Sequence, residues 1–182
     1  MQSARRALLV TTALWAVGAR ANLAVPAEVA AGLPGARVQG SAWMRFLGLR
    51  VYEARLWTGP TAVPQDWATA PLALEIEYAR SLKGAAIAER SLVEMRRQGE
   101  IEATTAQRWL AAMKQLFPDV GAGDRLTALN RPQVGLQFFA NAVLRGAVDE
   151  PAFAQRFLGI WLARQTSEPA LRTALLGREE AR

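Results

Sequence analysis

The sequence predicts an α+β fold, in which helices gather on one side of an antiparallel sheet. Strand-like regions and pairs of amphipathic helical segments follow one another as strands, two helices, strands, two helices, an order typical of α+β folds. Residues 72–78 alternate apolar and mostly charged side chains, which predicts a strand with one covered face and one face open to solvent. The length of 182 residues favours a single domain, and a hydrophobic fraction of 51% argues against disorder.

The first strand region follows a lead-in segment over residues 27–35. Residues 37–57 are strand-like, and Gly48 in their middle predicts a hairpin turn or a bulge. Apolar residues occur there at both odd and even positions, as expected from a register break or from burial on both faces. Glycine and proline then predict turns over residues 58–70.

Two amphipathic helices are predicted next. The first covers residues 84–99, and Arg90 can pair with Glu94 on the side opposite its apolar stripe. That stripe consists of Ile87, Ala88, Ser91, Leu92 and Met95. The second helix is expected to begin at a cap formed by Thr104 or Thr105 and to end near residue 117.

The second half of the chain repeats this alternation. Two strands are predicted over residues 124–130 and 134–141. Asp149 is expected to cap the following helix, which has proline in its first turn. A last helix is predicted from near Ser167 to Gly177.

The N-terminus has the pattern of a secretory signal peptide. Arg5 and Arg6 precede an apolar run over residues 7–19, which is too short to span a bilayer, and residues 19–21 fit a signal peptidase site. We therefore expect residues 1–21 to be removed on a general secretory route, which leaves one periplasmic domain over residues 22–182. The alternative is a first buried helix. Cleavage would remove three arginines and no acid, which halves the formal charge of +6 and weakens the case for nucleic-acid binding.

Two residue types are absent, and their absence excludes several chemistries. The chain has no Cys and no His, so it can form no disulfide, no thiolate nucleophile, no Cys/His zinc site and no Ser-His-Asp triad. The GAGD sequence at residues 121–124 lies between a helix and a strand and predicts a turn, because a nucleotide loop would lie between a strand and a helix. We expect no cofactor and no metal. Glu75 and Glu77 are interpreted as a solvated strand face, and Glu89 and Glu94 as helix-surface charges.

Several cationic and phenolic residues could form a ligand site. Tyr52 and Tyr78 lie in apolar strands, where a phenol needs a hydrogen-bond partner, and Arg45 interrupts an apolar run. Together with Lys83 and Arg90 they could close one end of an apolar pocket that suits a carboxylate on an apolar tail, or a phenolic ligand. The alternative is that they are surface cations and core tyrosines.

At this point the sequence resembles the chalcone isomerase-like family, in particular its exported bacterial branch. The resemblance covers about residues 37–177. It rests on the order and spacing of GLRVYEARLW (48–57), LALEIEYAR (72–80), IAERSLVEMRRQG (87–99), WLAAMKQLFPDVGAGDRLT (109–127), Phe138-Phe139 and FLGIWLARQTSEPALRTALLG (157–177). It implies an open-faced β-sandwich, a large antiparallel sheet with a helical layer on one face.

The resemblance also implies two kinds of function. Enzymes of the family close a chalcone to a flavanone. At the positions of their catalytic Thr, Asn and Tyr, this chain has Leu47, a residue near Arg90, and a residue near Lys83. A Ser or Thr before the last helix corresponds to Thr166 or Ser167. Other members bind fatty acids through an Arg and a Tyr, for which Arg45 and Tyr52 are the nearest candidates.

Three functions follow as hypotheses. The first is an exported, non-catalytic protein that binds a small apolar anion such as a fatty acid, with contacts from Arg45, Tyr52, Tyr78, Lys83, Arg90 and Thr166. The second is an isomerase or intramolecular lyase on an enone-like substrate, with Tyr52, Lys83 or Arg90 as electrophile or acid. The third is a periplasmic interaction protein without a ligand. None of them calls for nucleic acid or for a transmembrane segment in the mature chain.

Overall fold

A computed structural model of the chain describes residues 23–63 and 67–177, so the predicted signal peptide lies outside the described residues. Within these residues there are six strands and five α-helices, and after the short first helix they follow the predicted order of strands, two helices, strands, two helices, which confirms the α+β class. The elements are α1 (Ala27–Gly32), β1 (Arg37–Phe46), β2 (Leu49–Thr58), a 3-10 turn (Trp67–Thr69), β3 (Leu72–Tyr78), α2 (Gly84–Arg96), α3 (Ala103–Leu116), β4 (Arg125–Arg131), β5 (Gly135–Ala140), β6 (Val143–Val148), α4 (Pro151–Leu162) and α5 (Pro169–Leu175).

The strands form one open antiparallel sheet in the order β1-β2-β3-β4-β5-β6. The helices α2 and α3 connect β3 to β4, which pair directly with each other. Across the centre of the sheet, Ile76 lies opposite Ala54 on one side and Leu126 on the other. Because paired residues share a face, these three side chains belong to the same layer of the core.

The main core lies between the sheet and the helices α2 to α5. Alternate strand residues such as Leu56, Leu74 and Phe138 face the helix residues Met95, Met113 and Phe157 in one cluster. This arrangement is the open-faced sandwich that the sequence predicted, with the helical layer on one face.

The opposite face of the sheet is less open than the sequence suggested. Val29 and Leu33, in and just after α1, form a second small core with Trp57 and two more strand residues. Glu75, predicted to be solvated, is 1% exposed. The prediction of a solvated carboxylate face is therefore wrong at Glu75, because α1 and the neighbouring side chains cover this face.

Several element boundaries differ from the predictions. The lead-in segment contains α1, and Val143–Val148 forms an edge strand that the sequence analysis did not predict. Glu102 caps α3, because its carboxylate accepts hydrogen bonds from the backbone N–H groups of Thr104 and Thr105. The helix α4 follows Glu150, which provides no side-chain cap, and Asp149 pairs instead with Arg131.

Candidate functional site

A cavity of about 190 Å³ opens between the sheet and the helices α2 and α4. Strand residues form its floor, and helix residues and the segment before α5 form its roof and rim. Its lining residues are Met44, Val51, Tyr52, Leu74, Ile76, Tyr78, Ile87, Arg90, Ser91, Glu94, Phe117, Leu126, Thr127, Ala128, Phe138, Phe157, Ile160, Trp161, Ser167 and Glu168. Most of them are apolar or aromatic, which is typical of a small-molecule pocket.

An aromatic cluster holds the inner wall of the cavity in place. Phe157 of α4 contacts Phe138 of β5 edge to face, with ring centroids 5.1 Å apart, and Trp161 one turn later, at 5.6 Å. Phe117 lies 5.3 Å from Phe138 in a similar geometry. Such contacts fix ring orientations beyond what burial alone achieves, so this part of the wall is preformed.

Tyr52 places a hydroxyl group at the cavity wall. Its oxygen accepts a hydrogen bond from Trp161 Nε1 at 3.0 Å, and this contact leaves the phenolic proton free to be donated. Burial raises the pKa of Tyr52 to about 12; the Trp161 hydrogen bond lowers it, while the charges of Glu168 and Glu94 raise it. At neutral pH, Tyr52 is therefore a neutral hydrogen-bond donor.

Tyr78 lies beside Tyr52 on the adjacent strand. The two residues are directly opposite each other in the register of β2 and β3, and their rings meet edge to face with centroids 6.2 Å apart. Burial raises the pKa of Tyr78 above its ordinary value, and the neighbouring Tyr52 adds to this shift. The cavity thus has two protonated phenols on one wall.

The charged end of the cavity is on α2. Arg90 Nη2 lies 2.6 Å from Glu94 Oε1, in the i,i+4 pair that the sequence predicted. Within this pair Glu94 faces the cavity, since its side chain is 7% exposed, whereas Arg90 lies at the cavity mouth and its side chain is 68% exposed. Glu94 Oε2 has no hydrogen-bond partner in the described part of the chain, although Arg97 Nε lies 3.6 Å away.

The interpretation of Glu94 as a helix-surface charge is therefore wrong. The signal was present in the sequence, since Ile87, Ser91 and Glu94 follow the i, i+4, i+7 spacing of one helix face. The charge of Glu94 and its possible partner Arg90 suggest instead a position opposite the apolar stripe that contains Ser91. Glu168, which also lines the cavity, gave no such signal because it lies outside any helical stripe.

Three of the residues proposed from the sequence line this cavity, namely Tyr52, Tyr78 and Arg90. Thr166 does not, but it positions two residues that do. Its hydroxyl donates to the Ile160 carbonyl at 2.7 Å and accepts from the Glu168 N–H at 3.1 Å, which fixes the segment that carries Ser167 and Glu168.

The other two proposed residues lie outside the lining. Lys83 forms an ion pair with Asp119 at 2.7 Å, and this contact raises the pKa of Lys83. Arg45 is exposed near the end of β1. Leu47, the position that corresponds to a catalytic Thr in the resemblance, is also outside the lining, in the turn between β1 and β2.

Two features are absent from the described residues, a candidate metal site and a candidate membrane-spanning helix. No group of three or more acidic side chains among them converges on a point that could hold a metal ion. None of their helices is both long and apolar enough to cross a bilayer.

Comparisons with known proteins agree with the fold. An uncharacterized protein of Haemophilus influenzae is 31% identical over 111 residues, which cover 61% of this chain and 54% of the relative. The chain thus spans about half the length of that curated relative. A crystal structure of an Arabidopsis thaliana fatty-acid binding protein superposes with a TM-score of 0.61 at 11% identity, over 79% of this chain and 88% of that one. The profile of the chalcone isomerase-like family matches residues 23–177, and the chain therefore belongs to the chalcone isomerase-like family.

Proposed function

We propose that the protein binds a small molecule with an apolar body and one anionic end, such as a fatty acid, without transforming it. The observation that carries this proposal is an apolar cavity whose polar end combines a protonated phenol, Tyr52, with the guanidinium of Arg90. The fatty-acid binding protein that shares the fold gives independent support.

The charges at the cavity mouth define how an anion would be held. Arg90 is already paired with Glu94, and Glu168 lines the same cavity, so two acids surround one cation. A ligand carboxylate would share Arg90 with Glu94 or displace Glu94 from it, and would accept a hydrogen bond from the Tyr52 hydroxyl. Since charge-assisted hydrogen bonds are about twice as strong as neutral ones, Arg90 would supply most of the polar recognition.

The expected lack of catalysis rests on the residues that replace the enzymes' polar groups in the resemblance. Leu47 has no group that can activate water or polarise a ketone, and it lies in the turn between β1 and β2. Lys83 is held by Asp119 outside the cavity. The cavity thus retains donors that bind an anion but lacks the enzymes' combination of Thr, Asn and Tyr.

Fatty-acid titration of the purified protein, followed by native mass spectrometry, tests the proposal. Arg90→Gln and Tyr52→Phe should each weaken palmitate binding about tenfold, since each removes a hydrogen bond to a charged group. Lys83→Gln and Arg45→Gln serve as matched controls and should leave the affinity unchanged, because neither residue lines the cavity. If no fatty acid co-purifies and none binds at micromolar concentration, the proposal is wrong and the interaction protein without a ligand is favoured.

A second candidate function is an isomerase or intramolecular lyase acting on an enone-like substrate. It is favoured by Glu94, whose buried Oε2 has no hydrogen-bond partner in the described residues and could accept a proton beside the donors Tyr52 and Arg90. A screen of chalcones and related enones tests this function. Turnover that Glu94→Gln abolishes would support it, and no turnover above the uncatalysed rate would exclude flavonoid chemistry.

Export to the periplasm completes the proposal. Its support is the sequence pattern of residues 1–21, a basic start followed by a short apolar run and a small-residue cleavage site. N-terminal sequencing of protein recovered from the periplasmic fraction should begin at Asn22. Recovery of the intact N-terminus from the cytoplasm would contradict export.

A further inference from the structure

The turn between β1 and β2 has a residue that the isolated chain does not favour. Leu47 and Gly48 form a two-residue turn with φ angles of 49° and 80°, the left-handed region in which Asn and Gly are preferred. A branched apolar side chain is unfavourable at such a φ. Leu47 also gains nothing from burial, because it is 86% exposed.

The residues on either side of this turn are also apolar and exposed. We call residues 45–50 the hairpin tip. Phe46 and Leu49, which pair across the turn, are 62% and 59% exposed. The tip therefore exposes three large apolar side chains together, whereas isolated exposed apolar residues are ordinary on a protein surface.

Two arginines flank these apolar side chains. Arg45 lies directly opposite Arg50 in the strand register, and like charges at such positions destabilise a sheet. No acidic residue occurs between positions 43 and 52, and Arg45 makes no hydrogen bond or ion pair within the described residues. Arg50 lies over the Trp43 ring at 4.5 Å. All charges at the tip are thus positive, and an aromatic side chain lies at its base.

We propose that the hairpin tip docks into an anionic lipid surface. Inserted into a bilayer, Phe46, Leu47 and Leu49 would leave water. The long arginine side chains reach back to the headgroups, and the repulsion between them is relieved by lipid phosphates. Tryptophan is enriched at the headgroup level, where Trp43 would lie. The exposed apolar side chains and the facing arginines, both unfavourable in the isolated chain, become favourable at such a surface.

The tip also adjoins the cavity. Met44 and Val51, the residues immediately before and after the tip, both line it. Docking would therefore bring the cavity close to the bilayer, from which an apolar ligand could enter without crossing water. This link to the ligand rests on the proposed function, whereas the docking itself does not.

Sedimentation with vesicles tests the docking. The protein should bind vesicles of phosphatidylglycerol mixed with phosphatidylcholine and bind pure phosphatidylcholine vesicles more weakly. Leu47→Asn should weaken binding about tenfold, while the melting temperature stays the same or rises, because Asn suits the left-handed turn. Arg45→Gln should weaken binding about fivefold, as expected for one arginine near an anionic surface.

Val134→Asn is the matched control. Val134 is 43% exposed in the turn between β4 and β5, at the opposite end of the strands, so this variant should bind vesicles like the wild type. All variants are the same chain apart from the one substitution, so differences among them report on the substituted residue alone. Palmitate binding in vesicle-free buffer should be unchanged in Leu47→Asn, which separates a failure of docking from a failure of the proposed function.

Three results would overturn the proposal. The first is no binding to the anionic vesicles. The second is vesicle binding that Leu47→Asn leaves unaltered. The third is a concentration-dependent dimer that Leu47→Asn abolishes, without vesicle binding, since this would assign the tip to a second copy of the chain.

Discussion

At the scale of single residues, the charged side chains on the second face of the sheet depend on one another. Arg55 Nη1 lies 3.1 Å from Glu75 Oε1 and 2.7 Å from Glu77 Oε2. Burial alone would lower the pKa of Arg55, but the hydrogen bond to Glu77 and the charges of Glu75 and Glu53 outweigh it and raise the pKa. Trp57 Nε1 donates to Glu75 Oε2 at 2.6 Å, so both carboxylate oxygens of Glu75 have partners.

Glu75→Gln should lower the free energy of unfolding by about 3 kcal/mol, because it leaves Arg55 buried with fewer compensating charges. Urea unfolding at neutral pH measures the change. Glu77→Gln removes a carboxylate from the same arginine at a position 37% exposed, and should cost less than about 1 kcal/mol. Equal losses in the two variants would show that burial does not determine the strength of these pairs.

At the scale of elements, the position of α2 depends on a close backbone approach at its first residue. A Cβ atom on Gly84 would lie 2.1 Å from the Phe117 carbonyl oxygen. The Gly84 N–H also donates to Asp119 Oδ1 at 3.0 Å. Because α2 carries Arg90, Ser91 and Glu94, this contact sets the distance between the charged end of the cavity and the sheet.

Gly84→Ala should therefore lower the free energy of unfolding by about 2 kcal/mol and weaken palmitate binding as well, since the helix must move away from residue 117. Thermal unfolding and titration measure the two effects. Gly59→Ala is the control, because nothing lies within 4 Å of its Cβ position, and it should change stability by less than about 0.5 kcal/mol. A Gly84→Ala protein with normal stability would mean that the backbone around residue 117 yields easily.

The sequence predicted those elements that are long enough to show a periodic pattern of apolar residues. The strand β3 alternates over seven residues, and α2 and α3 each bury a stripe at helical spacing. The helix α1 has only six residues, too few for a periodic pattern, and β6 is an exposed edge strand in which only Val148 is buried. The burial of Glu75 depends on elements distant in sequence, so a local pattern could not reveal it. Glu94 differs, because its helical spacing from Ile87 and Ser91 already indicates the buried face.

At the scale of the whole molecule, the two faces of one sheet are packed differently. The face under α1 is filled by a small apolar cluster and by paired charges. The face under α2 and α4 has a dense aromatic cluster at one side and the cavity at the other. A cavity costs stability because its walls lack contacts that a filled core would make. Ligand binding is the function that would compensate this cost.

Ser91→Leu tests whether the cavity that lowers stability is also the site that binds the ligand. Ser91 is buried at the cavity wall, and its hydroxyl donates to the Ile87 carbonyl of its own helix at 2.8 Å, so it holds no other element in place. Leucine there should fill part of the cavity, raise the free energy of unfolding by about 1 kcal/mol and weaken palmitate binding at least about tenfold. Ser91→Ala should leave both nearly unchanged. A more stable Ser91→Leu protein with full palmitate affinity would place the ligand outside this cavity. A protein that loses stability would mean that the cavity walls cannot accept the added side chain.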